Sequence, residues 1–281
     1  MSASKINDLK TFLKDYEVGN ITQSFPDANE GEMEDFSVRV GLFGITGSGK
    51  SSFINSVVMA LNDEDEGPAV IQSTGAEGTI ILEAFPLTDG FTLLDTRGFD
   101  LLGGDAEKEI LAILNGDIKD ENGINREKTV KTSMTGVGTV LRDETHAVLW
   151  FVKASDPRLH KGAYRCHMDF LRQQLLRRGV GTMTILTHED ELDSQGTDPE
   201  QRKKLAEAAR EITGSIPDNT YFLTNLIKGQ KFSNENRLKV LEIIKRSLEL
   251  SESTIKTRQT KRKMRAMMSN LGHIGLKQIG C

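Results

Sequence analysis

Hydrophobic positions along this chain follow two periods. Ile6, Leu9, Leu13 and Tyr16 recur every three to four residues behind Ser4, the spacing of one helix face opened by a serine N-cap. From Phe36 the period falls to two. Phe36, Val38, Val40 and Leu42 alternate as on a strand. A helical stripe follows at Phe53, Ile54, Val57, Val58 and Leu61. Apolar β-type runs at 80–85, 91–94, 147–152, 183–186 and 221–223 are then interleaved with helical stripes. The stripes are Met168, Leu171 and Leu175; Leu205, Ala208, Ala209 and Ile212; and Leu238, Leu241, Ile244 and Leu248. Asp198-Pro199-Glu200-Gln201 opens the second of these with an N-cap, a proline at the first helical position and a capping glutamine. Asp89-Gly90 between the runs at 80–85 and 91–94 predicts an antiparallel hairpin. The remaining strand–helix alternation predicts an α/β fold, a mostly parallel sheet with one antiparallel edge strand and helices on both faces.

The stretch 17–35 breaks both periods and carries Asp27, Glu30, Glu32, Glu34 and Asp35. The chain therefore divides into an N-terminal helix with an acidic linker (1–35), an α/β domain (36–250) and a C-terminal segment (251–281). A long insertion, 101–145, sits inside the domain. In the C-terminal segment Met264, Met267, Met268 and Leu271 share one helical face among Lys256, Arg258, Lys261, Arg262, Lys263 and Arg265. That is a basic amphipathic helix.

Charge sharpens this division. The 281 residues carry a formal net charge of -5. The last 31 carry +6, which leaves -11 on the rest. No basic face covers the body, so no nucleic-acid partner is expected. With two cysteines, Cys166 and Cys281, a disulfide scaffold is excluded and a reducing, cytoplasmic setting is the expectation. The first five residues show no signal-peptide core.

Candidate chemistry begins where the first alternating strand ends. Gly44-Ile45-Thr46-Gly47-Ser48-Gly49-Lys50-Ser51 matches G-x-x-x-x-G-K-[ST] throughout, with a strand before it and a helix after it. Glycines let successive N–H groups turn inward at a phosphate, and the helix N-terminus faces the same anion. Gly44, Thr46, Gly47, Ser48, Gly49, Lys50, Ser51 and Ser52 are thus the candidate phosphate cradle. Lys50 reaches for the β- and γ-phosphates and Ser51 for Mg²⁺. The architecture becomes that of a P-loop NTPase.

Later strand ends select the nucleotide. Asp95-Thr96-Arg97-Gly98 follows the run at 91–94 and has the D-x-x-G form of a switch. Asp95 is the second candidate Mg²⁺ residue, and the Gly98 N–H is expected to sense a γ-phosphate. Thr187-His188-Glu189-Asp190 follows the run at 183–186 and stands where [NT]-K-x-D stands in G-domains, with His188 replacing lysine. A carboxylate at Asp190 accepts from guanine N1–H and N2–H₂, donors that adenine lacks. Asn225, after the last strand, is placed where the closing loop touches the base. Thr79, before the run at 80–85, is the candidate switch threonine for the Mg²⁺ shell, with Thr74 in reserve. The expected ligands are GTP or GDP with Mg²⁺.

These residues together resemble a translation-factor-class GTPase domain of septin- or AIG1-like character. Gly49–Val57, Ile113-Leu114-Asn115-Gly116-Asp117-Ile118-Lys119-Asp120, Leu186–Asp190 and Gln278-Ile279-Gly280 narrow the resemblance to the interferon-induced protein 44 family. The resemblance implies a GTP-binding domain in an interferon-linked immune response, antiviral or antiproliferative. Its nucleotide binding is better founded than its catalysis. Ras-like enzymes carry a water-orienting glutamine directly after D-x-x-G; this chain has Phe99. Slow GTP hydrolysis is the expectation. Arg97 is a candidate for assisting it in cis or across a dimer, although a solvated switch residue is the plainer reading. The alternatives are a non-hydrolysing, nucleotide-dependent scaffold and, further off, a P-loop ATPase or kinase. Expected partners are the nucleotide and a protein effector or a second copy. The tail is expected to dock on its own acidic body or on a protein rather than on a membrane, and membrane contact is expected through no other part.

Overall fold

The computed structural model describes residues 2–22, 33, 36–63, 67–69, 82–96, 98, 104–118, 141–160, 165–225 and 232–277. Six strands form one sheet: β1 (Val38–Gly44), β2 (Glu83–Thr88), β3 (Phe91–Asp95), β4 (Ala147–Lys153), β5 (Gly181–Thr187) and β6 (Thr220–Leu223). Their order is β2-β3-β1-β4-β5-β6. β1, β3, β4, β5 and β6 are mutually parallel, and β2 runs antiparallel to β3 at one edge. The chain is an α/β P-loop domain with the strand order and the single antiparallel edge of a G-domain. β2 starts three residues later than the apolar run suggests. The two-residue turn at Asp89-Gly90 pairs Thr88 with Phe91, and a bulge between Pro86 and Thr88 shifts the register so that Phe85 pairs with Leu93. Pro86 lies within β2, where an edge strand tolerates a missing donor.

Strand side chains alternate between two apolar layers. Ala147, Leu149 and Phe151 of β4 join one cluster, and Val148 and Trp150 the other. On the first face lie α1 (Ser2–Lys14), α2 (Lys50–Asn62) and the 44-residue α8 (Asn234–Lys277). On the second lie α3 (Gly104–Asn115), α5 (Arg165–Arg178) and α7 (Pro199–Thr213). Two short helices, α4 (Pro157–His160) and α6 (Glu189–Ser194), follow the ends of β4 and β5. α7 starts as its sequence indicates, with the Asp198 carboxylate accepting from the Gln201 amide at 2.8 Å.

One helix passes straight through position 250, where the charge pattern divides the chain. α8 buries Val240, Leu241, Ile244 and Leu248 and continues to a buried Ile255. Its Glu252 is wholly buried and anchors the N-terminal segment. The carboxylate accepts from the Tyr16 hydroxyl (2.9 Å) and from the amides of Gly19 (2.8 Å), Ile21 (3.4 Å) and Thr22 (2.7 Å). Burial and this carboxylate push the Tyr16 phenol far up, so it stays a donor. Ile6, Leu9, Leu13 and Tyr16 lie in the same apolar cluster as β1 and α8. Residues 2–22 are therefore packed into the α/β core.

A second buried polar joint lies at the same end of the sheet, where β4 begins. His146 accepts from the Arg39 amide at Nδ1 (2.9 Å) and donates from Nε2 to the Leu141 carbonyl (3.0 Å). That pattern requires the neutral ring. Burial, followed by the nearby Arg258 charge, lowers its pKa to about 3. Asn115 and Gly116, in the stretch carrying the family resemblance, terminate α3. Gly116 takes the left-handed conformation (φ 74°) against Asp143, and Asn115 Oδ1 accepts from the Arg178 guanidinium (3.1 and 3.2 Å).

Candidate functional site

Because five strands run parallel, Gly44, Asp95, Lys153, Thr187 and Leu223 end at one edge of the sheet. That edge is the ligand-binding side of open α/β sheets. The loop from Gly44 to Gly49 turns there between β1 and α2. Gly47 (φ 75°) and Gly49 (φ 90°) are left-handed, which L side chains rarely adopt. Lys50 folds its ammonium back over the loop, donating to the carbonyls of Gly44 and Ile45 at 3.1 Å each. Ser52 lies in the first turn of α2, its carbonyl capped by the Ser56 hydroxyl at 2.8 Å. The Ser48 hydroxyl is buried without a hydrogen-bond partner among the described residues.

Two side chains hold the loop from behind. Thr187 Oγ1, at the end of β5, donates to the Ser48 carbonyl at 2.8 Å. Asn225 Nδ2, just beyond β6, donates to the Gly49 carbonyl at 2.8 Å. With these carbonyls drawn outward, the peptide units keep their N–H groups on the other side. This is a tethering role for Asn225 that the sequence reading, which set it at the base, does not assign.

At the head of α2, Ser51 donates to Asp95 Oδ2 at 2.6 Å. Asp95 Oδ1 is buried and has no partner among the described residues. Burial raises the Asp95 pKa, against the lowering effects of the Ser51 hydrogen bond and the Lys50 charge. A hydroxyl and a carboxylate with an unused, desolvated oxygen fit a hard divalent cation, which takes oxygen ligands and retains phosphate or water as the rest. Thr96 donates to the Leu42 carbonyl at 2.7 Å and pins the turn after β3 to β1. Gly98 then meets the phosphate loop so closely that a Cβ there would overlap the Thr46 backbone. Thr74, Thr79, Arg97 and Phe99 lie outside the described residues.

The turn after β5 is strained into place. His188 is left-handed (φ 61°), a conformation costing about 1 kcal/mol for an L residue, and it opens α6. Thr187 gives its proton to the Ser48 carbonyl, so His188 Nδ1 must donate to the Thr187 oxygen at 3.0 Å. Burial and then Lys153 lower the His188 pKa. Asp190 is exposed. Its amide donates to Thr224 Oγ1 at 3.1 Å, and Glu189 beside it pairs with Arg202 of α7 (3.4 Å) and Lys239 of α8 (2.9 Å). Thr224 and Glu189 escape sequence reading; only their adjacency to strand ends hints at them.

The end of β4 is also part of this edge. A cavity of about 360 Å³ is lined by Ile45, Thr46 and Gly47 on one side and by Lys153, Ser155, Asp156, Pro157 and Arg158 on the other. Arg158 forks onto Asp156 (2.9 and 3.0 Å), while Lys153 and Ser155 both engage Glu191 (2.9 and 2.6 Å). The structure thus brings the cradle residues, Asp95, Gly98, Thr187, His188, Asp190 and Asn225 to one place.

The resemblance seen in the sequence is matched by known proteins. The chain is 27% identical over 166 residues to human interferon-induced protein 44, which covers 56% of this chain and 37% of that protein. It is 27% identical over 165 residues to human interferon-induced protein 44-like, covering 55% and 36%. The chain spans less than two fifths of the length of these relatives. No family profile matches. Among solved structures, the FeoB G-domain from Methanococcus jannaschii is 15% identical, covering 77% of this chain and 98% of its own at a TM-score of 0.37. A probable GTP-binding protein, engB, is 12% identical, covering 76% and 98% at a TM-score of 0.44. The fold assignment rests on the strand order and the phosphate loop described above.

Proposed function

We propose that this chain binds guanine nucleotide with Mg²⁺ and acts as a nucleotide-dependent switch with slow GTP hydrolysis. One observation carries the reading. The complete phosphate loop and the Thr187–Asp190 turn are fastened together through the Thr187–Ser48 hydrogen bond, which fixes the spacing between a phosphate site and a base site. In this reading the loop amides and Lys50 take the phosphates, and Asp190 takes the guanine edge. Ser51 and Asp95 hold the cation, which when bound neutralises charge on the β- and γ-phosphates. In this reading Gly98 responds to what occupies the loop, which its close approach to Thr46 supports. With Phe99 in the position of a water-orienting glutamine, hydrolysis is slow. The named relatives are interferon-induced proteins, which supports a place in an interferon-linked immune response, and the cytoplasm is the proposed setting.

Phe99 also favours a second reading, a scaffold that binds nucleotide without turning it over. Calorimetry with GDP, GTP and ATP in the presence of Mg²⁺ tests the first claim. Guanine nucleotides should bind and ATP should not; Lys50→Ala should abolish binding, and Asp190→Asn should erase the preference. No heat with any guanine nucleotide would overturn the reading. Multiple-turnover phosphate release separates the slow GTPase from the scaffold.

A further inference from the structure

We propose that the exposed face of α8 around Met264–Met268 docks on an anionic lipid surface. A helix turns about 100° per residue, which separates this stretch into two sides. Ile255, Arg258 and Gln259 are buried against the body, and Arg258 and Arg262 both pair with Glu144. Met264, Met267 and Met268 project from the opposite side and are 57%, 58% and 73% exposed. No described residue of the domain that holds α8 covers them, and the expected self-docking of the tail stops at its buried side.

The patch extends beyond the helix. Leu176, in the last turn of α5, is 82% exposed. Lys261 Nζ donates to the Arg177 carbonyl at 3.4 Å, so the turn bearing Leu176 abuts the same stretch of α8. Lys261 and Arg265 flank the methionines on one side, and Lys256 lies two to three turns before them on the other; all three are exposed. An apolar strip bordered by long cationic side chains is the pattern of a helix lying in a bilayer interface, its cations reaching the headgroups. Flexible methionine suits a fluid partner. Charge selects the lipid. The body carries a net -11 and the tail +6, so an anionic surface attracts the tail against the net charge of the body, which orients the molecule. The same basic residues oppose pairing with a second tail. No helix among the described residues is long and apolar enough to cross a membrane, so α8 would lie on the surface.

Flotation of the full chain with phosphatidylcholine vesicles, with and without phosphatidylserine, tests this. Each cation near an anionic surface strengthens binding about fivefold, so phosphatidylserine should raise binding at least roughly tenfold and high salt should reverse the gain. Met264→Asp combined with Met267→Asp and Met268→Asp should abolish flotation, as should Lys261→Glu with Arg265→Glu. Both variants should keep the wild-type melting temperature, because the altered side chains are exposed. Equal flotation with both lipids, or unchanged flotation of either variant, would overturn the proposal. So would lipid-free dimerisation that both variants abolish, which would make a second copy the occupant. The measurement is made with and without added GTP, so its outcome is independent of the nucleotide reading.

Discussion

Asn225→Ala tests whether the last loop shapes the phosphate site or reads the base. The substitution removes the 2.8 Å hydrogen bond to the Gly49 carbonyl, 176 residues away in sequence. A hydrogen bond of this kind contributes about 0.5–1.5 kcal/mol net. The site is half-buried, so water replaces part of the loss, and about 1 kcal/mol is expected, roughly a fivefold fall in affinity. Thr187→Ala removes the adjacent bond to the Ser48 carbonyl, which is fully buried, and the stranded carbonyl raises the cost to about 1–3 kcal/mol. Both bonds hold consecutive carbonyls of one turn, so the double variant should deviate from additivity by about 0.5 kcal/mol or more. The assay is competition of GDP and of inorganic pyrophosphate against a fluorescent guanine nucleotide. A tether acts on the cradle, so Asn225→Ala should weaken both competitors by the same factor. Weaker GDP with unchanged pyrophosphate would refute the tethering argument and return Asn225 to the base.

Glu252→Ala leaves the Tyr16 hydroxyl and three amides without their acceptor; a loss of about 4 kcal/mol should lower the melting temperature by on the order of 10 °C, and a change under 1 kcal/mol would show that residues 2–22 are dispensable to the core. His146 has a folded pKa depressed to about 3, so the unfolded chain takes up the proton first, and stability is full above about pH 6.5 and falls as pH drops toward 3. Denaturant titrations should give about 2 kcal/mol less stability at pH 5 than at pH 7 from this group, a difference that His146→Gln should diminish. Glu189→Ala removes the ion pairs of the turn bearing Asp190 to Lys239 and to one side of Arg202, which keeps its pair with Asp193. About 1 kcal/mol of guanine-over-adenine preference should go with it, read as the ratio of the two dissociation constants.

Much of the fold is legible because its determinants are local. Two-residue alternation at Val38, Val40 and Leu42 and the stripes of α2, α5 and α7 each specify an element from a dozen residues. The chemistry of the phosphate loop is written in eight consecutive positions. Where register decides, local pattern fails: β2 lies at Glu83–Thr88 because the Asp89-Gly90 turn and the bulge between Pro86 and Thr88 fix its pairing with β3, whatever the apolar run at 80–85 suggests. The basic segment after 250 reads as a separate tail, yet Glu252, Ile255 and Arg258 tie it to the body.

By itself the sequence determined that a glycine-rich anion cradle follows a strand, that a carboxylate stands after each of two later strands, and that the sheet is mostly parallel. Only the tertiary structure decided what holds that cradle open and what the tail leaves bare. Thr187 and Ser48 are 139 residues apart, and Glu252 and Gly19 are 233. Such partners carry no spacing signal, because packing across the sheet, rather than any turn of the chain, sets the distance between them.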